Sequence, residues 1–582
     1  MEQKKFEWVP SKRLSRRSFL QAASATSAGL LIAACTPQAT PTTAPAAPQP
    51  TAAPAQQPAS AAPTAAPAAP AAPTAAPTVV KPAKAGLAPG KIGGPTGFDG
   101  AERYQYGPDD PAGRAILALQ KLPKDKKPSS LVFMMVSGAI GHWTVPFPTK
   151  TAPTGQQIFE EETGIKINFV SVGDNDLFTK TIQDATTKAG GYDILTNWVP
   201  DKGSLYQAGA LQVLDDYVAQ YKPEWEKAYV GGASQVQQSN YFAGKCVLVN
   251  NDGDYQVWTY RTDLFEDPKE QKAFKDKYGW DLQWPETWEQ FDQVANFFNR
   301  PSQNLAGCTD LRTAVWDQVH FYHRFCCMAE PNQMLFDPTS AKPLIDSPAG
   351  VETMQWLVDS LKWHTKDALS WGWPEQYANF AAGGAAMTCG YPNISKILDN
   401  PDNKDSKVVG KMKTGLVPGK MVNGKLIRRG TWWPSIAHAV SSQSKYPEAA
   451  YLLLQWASSA HIEPWMVGNP AGYYDPYMAS DWTDPIVTGS YKKYGMDNLK
   501  ATVERSVPCI NMAGNNDYIQ SWDNHFQAVV TGKETAAQAV KATGAEWEKI
   551  TDRIGRDKQI AALQGQLPTW PTITDTAKIK SS

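Results

Sequence analysis

Leu131-Val132-Phe133-Met134-Met135-Val136 is a continuous apolar run, and the residues that follow it decide the fold. A run of this length without polar alternation reads as a strand buried on both faces. Residues 154–163 read as a helix stopped by Gly164, because glycine enters the left-handed turn of a helix end without strain. Ile165, Ile167 and Phe169 alternate as a second strand does. A further helix spans 178–189, Gly190-Gly191 breaks it, and 192–196 supply a third strand. Strand, helix, strand, helix, strand implies a parallel α/β sheet with right-handed crossovers. Ligands on such sheets sit beyond the strand C-termini, which here means the loops after Val136, Val172 and Thr196.

Toward the C-terminus, roughly 450 residues follow Leu131, more than one hydrophobic core covers, so two lobes are expected. Thr287 and Gln290 fit a capping box, with Trp288, Phe291, Val294, Ala295 and Phe298 on one helical face. Pro447 fits the first turn of another helix carrying Ala450, Leu453, Leu454 and Ala457. These are signals of fold rather than of function. Trp316, Trp363 and Trp456 read as helix-core residues.

Toward the N-terminus the chain changes character. A short helix is expected near 114–120 within a transitional stretch, 86–130. From Thr36 to about Pro82 the sequence is almost entirely Ala, Pro, Thr and Gln. That composition buries no core and favours extended polyproline II, so the tether reaches on the order of 100 Å at about 3.1 Å per residue. Before it, Lys4, Lys5, Lys12, Arg13, Arg16 and Arg17 form a basic region, followed by an apolar run too short to span a bilayer. Ser15-Arg16-Arg17-Ser18-Phe19-Leu20 resembles the twin-arginine motif, which implies export of a folded protein. Ile32-Ala33-Ala34-Cys35 resembles a lipobox, with Cys35 lipidated and N-terminal after cleavage. Cleavage there removes six basic and two acidic residues, so the net charge of −1 becomes −5. An acidic balance argues against a nucleic-acid partner.

Six further segments, in order, resemble the family 1 extracellular solute-binding proteins, a sugar-binding class. They are Tyr192-Asp193-Ile194-Leu195 followed by Gly209-Ala210-Leu211-Gln212-Val213-Leu214-Asp215; Gly244-Lys245 followed by Tyr260-Arg261-Thr262-Asp263-Leu264-Phe265; and Pro285-Glu286-Thr287-Trp288-Glu289-Gln290-Phe291. Phe380-Ala381-Ala382-Gly383-Gly384-Ala385-Ala386-Met387, Ser444-Lys445-Tyr446-Pro447-Glu448-Ala449-Ala450 and the tail around Trp547-Glu548-Lys549-Ile550 complete the set. The chain departs from the family in extra sequence at 302–333 and 468–507, and in Gly430-Thr431-Trp432-Trp433 where Gly-Gly-Trp is usual.

The resemblance implies a two-lobed periplasmic-binding-protein fold, type II-like, with hinge crossings and an inter-lobe cleft. It places lobe one at 131–256 plus 428–472, lobe two at 257–427, C-terminal helices at 473–560 and a tail at 561–582; the N-terminal motifs and composition put a signal peptide at 1–34 and a tether at 35–95 ahead of them. A monomeric receptor is expected, lipid-anchored outside the cell membrane through Cys35. Such a receptor closes on a carbohydrate and delivers it to the transmembrane subunits of an ABC permease. No cofactor is implied.

A sugar site needs flat aromatic surfaces for C–H faces and fixed polar side chains for hydroxyls. Asn197 and Trp198 follow the third strand, with Asp201 just beyond; the alternative for Trp198 is lobe packing. Asp252, Asp254 and Tyr255 precede the first crossing, and resemblance puts Asp254 near a sugar-binding carboxylate; the alternative is a polar turn. A calcium loop is disfavoured, because Tyr255 stands where glycine belongs. Trp371 and Trp373 are candidates for a stacking platform, Tyr391 for an aromatic on the sugar, and Trp432 and Trp433 for the second crossing. His142, Trp143, Tyr473 and Tyr474 complete the candidates.

Cys246, Cys308, Cys326, Cys327, Cys389 and Cys509 remain in the mature chain, and Cys308 with Cys326 or Cys327 would make a local bridge in an oxidising compartment. No Cys-x-x-Cys and no His pair at metal spacing is read, so no structural zinc is expected. Two other functions compete. A glycosidase would use Asp252 and Asp254 as acid and base, but a spacing of two along a strand points them to opposite faces. A receptor for a polyol, sugar phosphate or peptide is the third reading.

Overall fold

The computed structural model describes residues 86–314, 316–432 and 435–579. The export motif, Cys35, the Ala/Pro/Thr-rich tether and Trp433 lie outside the described residues. Along the chain, α1 (Pro111–Lys121) precedes β1 (Ser130–Val136), α2 (Gly155–Thr163), β2 (Lys166–Val172), α3 (Leu177–Thr187) and β3 (Ile194–Trp198). The expected βαβαβ unit is present, and its local signals act as read. Thr154 caps α2 by accepting from the Gln157 backbone N–H, and Gly164 ends it at φ 74°. Strands β1 and β2 run parallel with Phe133 opposite Phe169, and β1 and β3 run parallel with Phe133 opposite Ile194.

After β4 (Val249–Asn250) the chain crosses to a second sheet. There it forms β5 (Val257–Arg261), α4 (Trp288–Phe298), β6 (Ala306–Thr309), α5 (Asp317–Phe325), α6 (Pro348–Asp359) and α7 (Trp373–Ala381). It continues through β7 (Ala385–Gly390), α8 (Asn393–Leu398) and β8 (Met412–Gly415), and returns to the first sheet as β9 (Ile436–Val440). The first sheet has the order β2-β1-β3-β9-β4, with β9 antiparallel to both its neighbours. The second has the order β8-β5-β7-β6, with β5 antiparallel to β8 and β7. Two sheets joined by crossings at 251–256 and 429–432 make a two-lobed architecture. Gly253 is what lets the first crossing lie flat: a Cβ there would stand 2.2 Å from the Pro476 carbonyl oxygen. Beyond β9, α9 (Pro447–Ala457) covers the first sheet, and α10 (Asn515–Val530), α11 (Ala536–Ile554) and α12 (Arg556–Gln566) follow.

Four expectations change. The tether does not run to 95, because Ile92 donates to Tyr106 O (2.8 Å) and Gly93 O accepts from Tyr106 N (3.1 Å). Residues 430–432, expected in lobe one, pair in parallel with Ser506–Pro508 instead of joining the first sheet, so 473–560 is not wholly helical. Within the expected tail, residues 561–579 are partly ordered into the fold: α12 runs to Gln566, and Asp575 bridges Leu426. Finally, all six thiols are buried and unpaired, so the Cys308 bridge does not form.

The two interiors differ in kind. Leu131, Phe133, Met134 and Met135 of β1 are fully buried, as are Ile158 and Phe159 of α2. Behind β6, by contrast, Arg312 is fully buried and its guanidinium grips Asp310 at 2.6 and 3.1 Å. His364 Nε2 stands 2.7 Å from the same carboxylate.

Candidate ligand-binding cleft

Where the sheets face one another, Asp174, Trp198, Asp254, Trp316, Trp373, Tyr391, Asn393 and Tyr473 line a common cavity. Asp174 comes from the loop after β2 and Trp198 ends β3, at the strand C-termini as strand polarity requires. Asp254 comes from the first crossing. Trp316 lies at the start of α5, Trp373 opens α7, and Tyr391 and Asn393 follow β7. Trp373 meets Tyr473 edge to face at 6.1 Å, and Trp316 meets Tyr391 in the same way at 6.2 Å. These rings therefore present faces as well as edges to the space between them.

The polar atoms of the wall are held in place. Trp198 Nε1 donates to Asp174 O (3.3 Å). Asn393 accepts from the Tyr377 hydroxyl (2.8 Å) and donates to Tyr473 O (3.0 Å), which leaves it little freedom to turn. Asp174 Oδ1 is buried without a hydrogen-bond partner. Burial raises the Asp174 carboxyl above its usual range. An unsatisfied acceptor in a cavity wall is what a ligand hydroxyl would complete.

Behind Asp254, the carboxyls of Asp252, Asp254 and Asp475 converge to within 4.8 Å of one another, all buried. Asp252 and Asp254 thus point into one cluster, contrary to the opposite faces expected of a strand, because residues 251–254 form no strand. Asp252 Oδ1 accepts from Asp475 N (2.7 Å), which fastens the crossing to segment 475–476. Burial, followed by the Asp252 and Asp475 charges, holds Asp254 well above the carboxylate range. Burial pushes Asp252 up to about 8 and the nearby Lys396 ammonium down to about 8. The cluster is therefore a store of protons as well as a set of acceptors.

The cavity gathers Trp198, Asp254, Trp373, Tyr391 and Tyr473 of the expected residues. It leaves others out. Asn197 is fully buried and accepts from Thr181 (2.9 Å), Asp201 accepts from Asn516 (3.1 Å), and Tyr255 is buried in the crossing. Trp143 packs edge-on to Phe133 in the first lobe. His142 stacks on Tyr474 at 4.5 Å and receives the Tyr474 N–H at 2.8 Å, so both are structural. Trp371 turns its carbonyl to the Thr313 hydroxyl (3.1 Å) and does not line the cavity. Nothing is described of the Trp432 side chain. Trp363 and Trp456 are core, as expected, but Trp316 is not. Asp174 and Asn393 add to the expected set, and Asp174 lies in the loop after Val172 to which strand polarity points.

A second, open groove of about 450 Å³ runs between α4 and α6, with Trp356 and Glu352 in its wall. Both walls belong to elements of one side, so lobe closure would not act on it.

Two sheets, two crossings and an aromatic cavity between them define a two-lobed solute receptor. The chain belongs to the bacterial extracellular solute-binding protein family, whose profile matches residues 142–462. No curated protein matches it. Among solved structures, it is similar to an ABC-transporter solute-binding protein of Agrobacterium radiobacter in complex with ribitol. The TM-score is 0.60 at 20% identity, over 73% of this chain and 100% of that one. It is similar also to maltose-bound MalE3 of T. maritima, with a TM-score of 0.58 at 16% identity over 72% and 99%. A Listeria monocytogenes ABC substrate-binding protein in complex with cycloalternan gives 0.57 at 17% identity over 73% and 99%.

Proposed function

We propose that this chain is the receptor of an ABC importer, that it takes up a carbohydrate or a polyol in the cavity, and that it does not cleave it. The observation carrying this reading is the wall itself: Trp198, Trp316, Trp373, Tyr391 and Tyr473 supply apolar faces, while Asp174 and Asp254 supply acceptors. Neighbours with similar folds hold ribitol, maltose and cycloalternan, which supports that ligand class. As it stands, the cavity leaves about 30 Å³ for the centres of water molecules. One water needs roughly 10–15 Å³ by that measure, so a sugar enters only when the walls part. The reading therefore includes hinge motion about the two crossings, with the first sheet and its helices moving against the second. Asp252 lies behind Asp254 rather than across the cavity from it, a poor arrangement for a hydrolase.

Lipid anchoring at Cys35 and twin-arginine export belong to the same proposal, as does a monomer working at the end of its tether. Six buried, unpaired thiols suit a chain that folds in a reducing compartment before it is exported.

The test is a thermal-shift screen of the mature chain against sugars, oligosaccharides and polyols, with product analysis of each sample. A true ligand at about 100 times its Kd adds roughly 2.7 kcal/mol. No shift with any carbohydrate or polyol would sink the ligand class, and cleaved sugar would make the chain an enzyme.

A further inference from the structure

The two elements that bring Trp316 and Tyr391 to the cavity continue past it into a second, dry cluster. One turn beyond Trp316, α5 places His320 and His323 three residues apart, on one face of the helix. Two residues before Tyr391, β7 carries Cys389. One ligand atom from each of the three lies within 4.8 Å of the others, and none of the residues is more than 4% exposed. His323 Nδ1 is buried without a hydrogen-bond partner, an arrangement that costs free energy unless something completes it.

We infer that His320, His323 and Cys389 form a site for a divalent ion of the zinc class. The chemistry suits such an ion: imidazole nitrogen and thiolate sulfur are its preferred donors, whereas magnesium and calcium want oxygen. The supporting groups are also in place. In metal sites the ring nitrogen away from the ion is held by a carboxylate, a carbonyl or a water. Asp310 Oδ2 stands 3.5 Å from His320 Nδ1, and the Thr431 hydroxyl is 2.8 Å from His323 Nε2. The Cys389 thiol donates to Gln256 Oε1 at 3.2 Å, so Gln256 or a water can complete a tetrahedron. Binding would send the Cys389 thiol proton to solvent.

Two other clusters fail by comparison. Cys308, Asp310 and His364 already enclose the Arg312 guanidinium. Asp252, Asp254 and Asp475 have the Lys396 charge beside them. Of these three clusters among the described residues, only His320, His323 and Cys389 hold no cation. Arg312 is nearby, but Asp310 neutralises it. Metal–nitrogen and metal–sulfur bonds of about 2.0–2.3 Å set tetrahedral donors about 3.3–3.6 Å apart, so the cluster closes by on the order of 1 Å when it fills. The ion would then brace Trp316 and Tyr391, two walls of the cavity, from behind.

The experiment uses the full chain purified from zinc-supplemented cells. Elemental analysis should find about one zinc per chain, and cobalt added to the chelator-treated protein should give a thiolate charge-transfer band. Cys389→Ser should abolish that band, and His323→Gln should weaken metal binding roughly tenfold or more. Far less than stoichiometric zinc, with no change in melting temperature when zinc or cobalt is added back, overturns the site. So does stoichiometric metal that survives in folded Cys389→Ser and His323→Gln chains, because the ion then sits elsewhere. If the variants do not fold, the wild-type arms decide alone. No sugar is present in any arm, so failure here leaves the transport reading untouched.

Discussion

Strand β1 fills the first sheet with Leu131, Phe133, Met134 and Met135, whereas β6 and β7 put Cys308, Thr309, Thr388 and Cys389 at the corresponding depth of the second. The first interior is held by packing, which is non-directional and tolerates small errors of shape. The second holds Asp310, Arg312, His320, His323 and His364 away from water, and each depends on a named partner. Packing specifies a fold cheaply; buried charges over-determine one region and make it fragile. That region sits directly behind the cavity wall.

The contrast can be broken most directly at Asp310. Asp310→Ala leaves the Arg312 guanidinium buried and unpaired, and should cost about 3–5 kcal/mol in urea unfolding. A loss below about 1 kcal/mol would show that the charges are not interdependent.

A pH scan probes the carboxyl cluster between the lobes. The folded chain holds the Asp252 proton up to about pH 8, whereas an unfolded aspartate releases it near 3.8. The folded state therefore binds more protons in that window, and stability falls as pH rises from about 4 to about 8. The loss belongs to the coupled carboxyls together, and Asp252→Asn should reduce it. Lys396, held down to about 8, acts in the opposite direction above that pH. A stability that climbs steadily between pH 4 and 8 would contradict the cluster.

Trp373→Ala should weaken ligand capture by about 2 kcal/mol, close to thirtyfold, while the unfolding midpoint barely moves. Calorimetry with the ligand found by thermal shift checks this, and unchanged affinity would remove Trp373 from the binding wall. The smallest effect belongs to the packed sheet. Ile194→Val should cost about 0.5–1.5 kcal/mol, because one methylene leaves a small void.

The same contrast explains what could be read from the sequence. The β1 run, the Thr154 and Thr287 caps and the Gly164 stop are local signals, and each lies where expected. Strand β6, with the sequence AGCT, lacks a β-branched, alternating pattern, so the region around 302–333 reads only as extra sequence. Trp316 reads as a core residue because a tryptophan beside a helix is usually packed; it stands at the helix start and lines the cavity instead. The spacing of His320 and His323 is visible in the sequence, but two histidines three apart do not by themselves specify a metal site. Their partner Cys389 lies 66 positions further on, and only the sheet brings it near. Asp475 reaches Asp252 and Asp254 in the same way, across more than 200 residues that no local pattern connects.

The segment after α12 has a consequence for how far the receptor can open. Thr569 O accepts from Gln238 (2.9 Å), on a helix beside the first sheet. A few residues later Arg505 clasps Asp575 (2.8 and 3.0 Å), and Glu286 takes the backbone N–H of Lys578 and Ile579 (2.6 and 2.7 Å), beside the second sheet. This stretch is thus stitched to both halves, like a door chain fixed to leaf and frame. Any wide swing must first peel one set of stitches, so the working angle is bounded by the chain's own last turn around the molecule.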